Sequence, residues 1–294
     1  MLFLHKILNS IWFIDRPTAE NYIPLITSYI NGKPMAASSS PEAGSEITLN
    51  TFEGSAIREL AYNPDQKEAG SETDFIRSAP ENSILTIGIT DAITKYDQSC
   101  GPRGMNSLSN YLRAAYDTPN INGIVLKIDS GGGEGNAMRM FVETISERNK
   151  PVIAFIDDFA ASAAYGIAAA CDLVTANSTT ARVGSIGCYM TVADYTERFA
   201  MQGIKLTDVY ARQSTQKNKD YRDAIAGDTK AVEDIATVYC ESFLAQVAKD
   251  RDGKLTADRE VWGTGRMFFA TEAMELGLID NIDTYQNFLN YFNV

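Results

Sequence analysis

Four segments carry residue types that could do chemistry. Ser162 stands in DDFAASAAYG (157–166), among small residues that follow an apolar run and open a helical one. Steric access is open there, and the positive end of a helix dipole favours developing negative charge. The hydroxyl therefore suits a nucleophile, with a helix-capping serine as the alternative. Upstream lies DSGGGEG (129–135), whose glycines free the backbone for a tight turn and leave N–H groups open to an anion. It lacks the Lys-Ser/Thr of a phosphate-binding loop and does not match GxGxxG, so a plain strand-to-helix turn is the alternative. Downstream, RVGSIG (182–187) brackets Ser185 with glycines, and STQKNKD (214–220) supplies Lys217 and Lys219, by default solvated surface lysines.

Which base could serve Ser162 is narrowed by counting. The single histidine, His5, is near the terminus, so a Ser-His-Asp or Cys-His arrangement is nearly excluded. A metal-free hydrolase built from this chain needs a lysine, a carboxylate or a terminal amine as base. Cys100, Cys171, Cys188 and Cys240 form no CxxC pair, so no zinc site or disulfide framework is expected, and a reducing, cytoplasmic setting fits best. The net charge of −12 disfavours contact with a phosphate backbone. No nucleic-acid partner, metal or cofactor is expected.

The elements that must position these residues follow from periodicity. ILTIGIT (84–90), GIVLKID (123–129), PVIAFI (151–156), DLVTA (172–176) and IKLTDVY (204–210) are short, β-branched apolar runs that read as mostly buried strands. Helical stretches at 107–117, 134–149, 162–170 and 192–202 lie between them, with Ala137, Phe141 and Ile145 on one face. Alternating strands and helices imply right-handed crossovers and a mostly parallel sheet in an α/β fold. A longer helix begins at Asp228, an N-cap candidate, and carries Val232, Ile235, Tyr239, Phe243 and Val247. Near the end, FFATEAMELGLIDNID reads as a helix, a Gly277 cap and a short strand. Residues 1–30 are expected as a helical appendage, 31–80 as a flexible linker and 81–294 as the main domain. The apolar stretch 1–14 falls short of the roughly 20 residues a transmembrane span needs.

Taken in order, the Gly-Gly turn, Ala-Ser-Ala-Ala-Tyr, Gly-Ser-Ile-Gly, a lysine, and Gly265-Arg266 with AMELGLID (273–280) resemble the signal peptide peptidase A (protease IV) family of serine peptidases, including its phage capsid-assembly members. The resemblance runs from about Ile84 to Asp283. It implies a Clp protease/crotonase-like fold of repeated ββα units and a Ser–Lys dyad, which meets the shortage of histidine. Residue by residue, it implies Ser162 as nucleophile, Gly132 and Ala163 as oxyanion-hole amides with Gly133 completing the loop, and Ser185 as a lysine-orienting partner. The family commonly has proline before its two glycines; Gly131 stands there in this chain, which implies a looser loop.

The family spacing for the base falls between Lys217 and Lys219. Lys217 is preferred because it leaves the smaller insertion after Ser185 and fits the Asp228 helix start, with Lys219 as competitor. Residues two apart in an extended segment share a face, so both could approach one cleft. The expected activity is endopeptidase cleavage of an extended polypeptide bound as an added strand, and the resemblance implies a ring-shaped homo-oligomer and, through the phage members, processing of capsid or scaffold proteins. The alternatives are a non-cutting structural head protein of the same fold, a signal-peptide-degrading peptidase and, more remotely, an acyl-CoA enzyme of the crotonase superfamily.

Overall fold

The computed structural model describes residues 12–14, 47–53, 56–63, 70–98, 101–290 and 292. Its centre is four parallel strands, β4 (Ser83–Ile93), β5 (Ile121–Glu134), β6 (Val152–Ala161) and β7 (Leu173–Ala176). They are linked by helices α2 (Met105–Tyr116), α3 (Gly135–Ser146) and α4 (Ala163–Ala169). The first four apolar runs form these strands, with Pro151 and Asp172 just outside them. Both faces are covered, which is why they read as continuous rather than alternating. Leu85, Ile87, Ile124, Leu126, Ile128, Ala154 and Ile156 pack beneath the helices with Leu108, Leu112, Phe141 and Ile145. The intervening Ile84, Val125 and Phe155 face Phe288 and Leu289 on the other side. Ala137, Phe141 and Ile145 share the buried face expected of them.

Before the parallel core come β1 (Trp12–Ile14), β2 (Ile47–Glu53), β3 (Ala56–Ala61) and α1 (Glu72–Arg77). β2 pairs antiparallel with β4, Leu49 opposite Leu85, and β3 pairs with β2. This differs from the linker expected over 31–80, part of which extends the sheet. Ile47 and Leu49 alternate with Thr48 and Asn50, and all four are buried. α1 opens with a capping box in which the Ser71 and Asp74 side chains each accept from the other's backbone N–H. The helix expected over 1–30 lies outside the described residues except at 12–14, where the chain is a strand.

After β7 come β8 (Arg182–Gly184), α5 (Thr196–Met201), α6 (Lys219–Ile225), α7 (Lys230–Asp250) and α8 (Arg259–Trp262). The chain finishes with β9 (Met267–Phe269), α9 (Ala270–Glu275), β10 (Asn281–Ile282) and α10 (Tyr285–Asn290). The strand expected over 204–210 does not form: this stretch is irregular, with 204–209 exposed. The edge of β6 is not open to it, because β6 pairs with β7 at its first half and with β8 at Phe159–Ala161. The long helix starts slightly later than expected, with Thr229 at its N-cap and Asp228 Oδ1 accepting the Lys230 N–H at 3.2 Å.

The C-terminal helix, cap and strand are as expected. Gly277 has φ of +75°, and the Gly277 and Leu278 N–H groups donate back to Met274 and Ala273 at 3.1 and 2.8 Å. That is a Schellman closure. Next to it, fully buried Arg251 donates to the Gly277 carbonyl and to both oxygens of Asp280 at 2.8 and 3.0 Å. Burial alone would raise the Asp280 pKa, but the hydrogen bonds from Arg251, Lys254 and the Val174 N–H outweigh it and hold it below the usual carboxylate value. Tyr165 on α4 donates to the Leu278 carbonyl at 2.8 Å, tying this closure to the helix that follows Ser162.

Candidate active site

Ser162 is the corner between β6 and α4. Its backbone sits at φ +54°, ψ −118°, a region that costs a non-glycine residue on the order of 1–3 kcal/mol and persists only where its surroundings hold it. Two backbone bonds hold it: its N–H donates to the Gly184 carbonyl at 2.7 Å, and its carbonyl accepts the Gly166 N–H at 2.9 Å. The side chain makes no capping hydrogen bond. The helix-capping alternative therefore fails, and the hydroxyl's one described contact is a long 3.5 Å approach to the Gly187 carbonyl. Ser162 is 1% exposed.

The glycine-rich segment is not a turn after a strand but the end of the strand. β5 runs on to Glu134, with register breaks on β4 between Thr90 and Ala92 and against β6 between Ile128 and Ser130. Gly133 runs so close to β4 that a Cβ there would stand 2.1 Å from the Ile93 carbonyl oxygen, so no side chain fits. The Gly132 N–H donates to Ser130 Oγ at 3.1 Å, and Ser130 Oγ donates to the Asp91 carbonyl. Ser130 thus fixes the loop on both sides. Sequence reasoning missed it; the available signal was a small hydroxyl two residues before the glycine whose amide matters. Ala163 is the first residue of α4, so its N–H belongs to the helix-start amides that lack an intrahelical acceptor.

Ser185 lies beside this corner, half-buried, with φ of +50° and its N–H on the Arg266 carbonyl at 2.8 Å. β8 pairs parallel with the end of β6, Ala161 opposite Gly184, and antiparallel with β9. The structure therefore brings together Ser162, Ala163 and the Gly184–Ser185 turn at one end of β6, with the Ser130–Glu134 stretch on the neighbouring strand.

It does not bring the lysines there. Lys217 and Lys219 are exposed, and Lys219 pairs with Asp223 one helical turn on. Among the described residues, neither donates to Ser162 or Ser185. The shared-face argument also fails, because Asn218 is left-handed at φ +54° and Lys219 begins α6. The stretch before them leaves large apolar side chains open: Met201 is 83% exposed, Leu206 66% and Val209 91%.

A model of peptidase family S49 matches residues 144–293, just over half of the chain and inclusive of Ser162, Ser185 and both lysines. The chain belongs to peptidase family S49. Protease 4 of Haemophilus influenzae is similar at 26% identity over 71% of this chain and 34% of its own. Capsid assembly protease C of Escherichia phage lambda is similar at 29% identity over 60% of this chain and 40% of its own. This S49 chain thus spans between a third and two fifths of the length of these two curated relatives. A solved enoyl-CoA hydratase from Shewanella pealeana matches 76% of this chain and 78% of its own at 13% identity with a TM-score of 0.45, too loose to assign chemistry. Among the described residues no helix is long and apolar enough to cross a membrane.

Proposed function

We propose that this chain is a serine endopeptidase in which Ser162 attacks the peptide carbonyl and a lysine, Lys217 ahead of Lys219, is its base. The observation that carries the reading is the Ser162 corner: a strained backbone, a hydroxyl not spent on capping, and a helix start beside a glycine-lined strand end. A neutral amine takes the Ser162 proton, and the alkoxide attacks the carbonyl carbon. The Ala163 N–H with the Gly132 N–H stabilises the oxyanion, the latter once it leaves Ser130 Oγ. The protonated amine then hands its proton to the leaving nitrogen. Water, deprotonated by the same amine, releases the acyl group.

The amine must be neutral to act. A free lysine with pKa about 10.4 is only about 0.1% neutral near pH 7.4, so the amine has to be taken out of water to act. Both candidates are exposed in a single chain, so their burial falls to subunit association and bound substrate. Exposed Met201, Leu206 and Val209 on the same segment favour association into a closed homo-oligomer. Ser185 is the lysine-orienting hydroxyl of the assembled site.

The substrate class is extended polypeptide. The name of the lambda relative favours capsid or scaffold proteins, with the work done in a reducing cytoplasm or an assembling prohead. The exposed lysines equally suit a non-cutting head protein. Mass spectrometry of a candidate capsid protein incubated with wild type, Ser162→Ala, Lys217→Ala and Lys219→Ala separates the two: new termini with wild type alone or with one lysine variant support the peptidase. An intact capsid protein under all four leaves the structural reading.

A further inference from the structure

β5 has two edges, and their occupants change along its length. One edge is β4 from Ser83 opposite Ile121 to Ile93 opposite Gly133. The other is β6, but only as far as Ser130 opposite Ala160, beyond which β6 turns away into Ser162. The vacated edge lies on the side of β5 from which β6 leads into Ser162, and the chain's own β1 fills it, antiparallel, with Trp12 opposite Glu134, Phe13 opposite Gly133 and Ile14 opposite Gly132. The pairing points the C-terminal end of β1 toward Ser130, where β6 takes over. Ile14 is buried. Ser162, on the strand that leaves this edge, is buried as well.

A polypeptide bound as an added strand recognises backbone N–H and C=O groups along an edge, not a particular sequence. Two strands cannot use the same row of groups. We infer that Trp12–Ile14 is an intramolecular occupant of the polypeptide-binding edge, a strand that substrate must displace before its carbonyl can reach Ser162. The inference rests on the peptidase reading for its consequence, but the competition itself is a binding event.

The test uses the full chain carrying Ser162→Ala, with fluorescein-labelled β-casein as an unstructured probe read by anisotropy. Successive N–H groups of a strand point to opposite edges, so only one of Phe13→Pro and Ile14→Pro removes a bond to β5. That variant is expected to bind casein about tenfold more tightly, the change that loss of a ladder hydrogen bond allows. Hydrogen exchange at whichever of the Gly133 and Glu134 amides faces β1 should rise about tenfold in parallel, with thermal melting unchanged. The other proline should alter each readout by less than about threefold. Parent-like binding and exchange in both variants, or equal effects of both, would overturn the inference. Restoring Ser162 in the tighter-binding variant then separates the two readings: tight binding with casein left intact keeps the cis competitor and removes the peptidase.

Discussion

Ser162 and the lysines proposed to serve it lie in regions of opposite physical character. The sheet from β4 to β7 with α2, α3 and α4 is an apolar, doubly covered core, and it holds Ser162 in a backbone geometry that serine avoids. The stretch from Met190 to Thr229 has two short helices, α5 and α6, no strand of its own, and large apolar side chains in solvent. A nucleophile needs fixed geometry, so it belongs where packing over-determines the backbone. A lysine base needs a change of environment, and an exposed segment can acquire one by being covered.

This contrast can be broken in several places. Ser162→Ala should lower proteolysis by about ten-thousandfold or more, with the melting temperature held, measured as initial rates on casein. Arg251→Met should cost about 3–5 kcal/mol by leaving Asp280 without its buried partner, read from urea denaturation. Because Asp280 is held below its unfolded value of about 3.9, the unfolded chain takes up the proton first. The Asp280 contribution is thus present above about pH 4 and lost as the pH falls through the folded value. Acid titration of wild type should show that loss, and Asp280→Asn should flatten it.

A smaller effect sharpens the same distinction. Ser162→Gly should be more stable than Ser162→Ala by about 1 kcal/mol, since glycine relieves the positive φ and alanine does not. Equal melting temperatures would mean the corner is unstrained. Smallest in stability, Leu206→Asp with Val209→Asp should leave the unfolding free energy of the single chain within about 0.5 kcal/mol. The same pair should abolish any association detected by light scattering. If it unfolds the monomer instead, the segment is packed rather than open.

The core was readable in the sequence because its signals are local and redundant. Four β-branched runs, the Ala137–Phe141–Ile145 face and the Gly277 cap each follow from one element's own residues. The strand pair β2 and β3 was hidden by polar neighbours: Thr48, Asn50 and Thr51 dilute Ile47 and Leu49, and burial of Asn50 depends on a hydrogen bond to Thr86 that only the fold supplies. Residues 204–210 misled in the other direction, because their pattern records apolar surface and not which surface covers it. At the site, Ser162 and the glycines were found by their small neighbours. Ser130 was not, since its role depends on two strands bulging side by side, and β1 was not, since an edge is visible only once the sheet exists.

The most direct measurement is adduct mapping with a fluorophosphonate across a range of protein concentrations. A phosphonyl group on Ser162 alone, its rate rising as chains associate and lost in Lys217→Ala or in Lys219→Ala, is what a fixed nucleophile completed by a covered lysine predicts. A label on another serine, or none on Ser162 at any concentration, would contradict it.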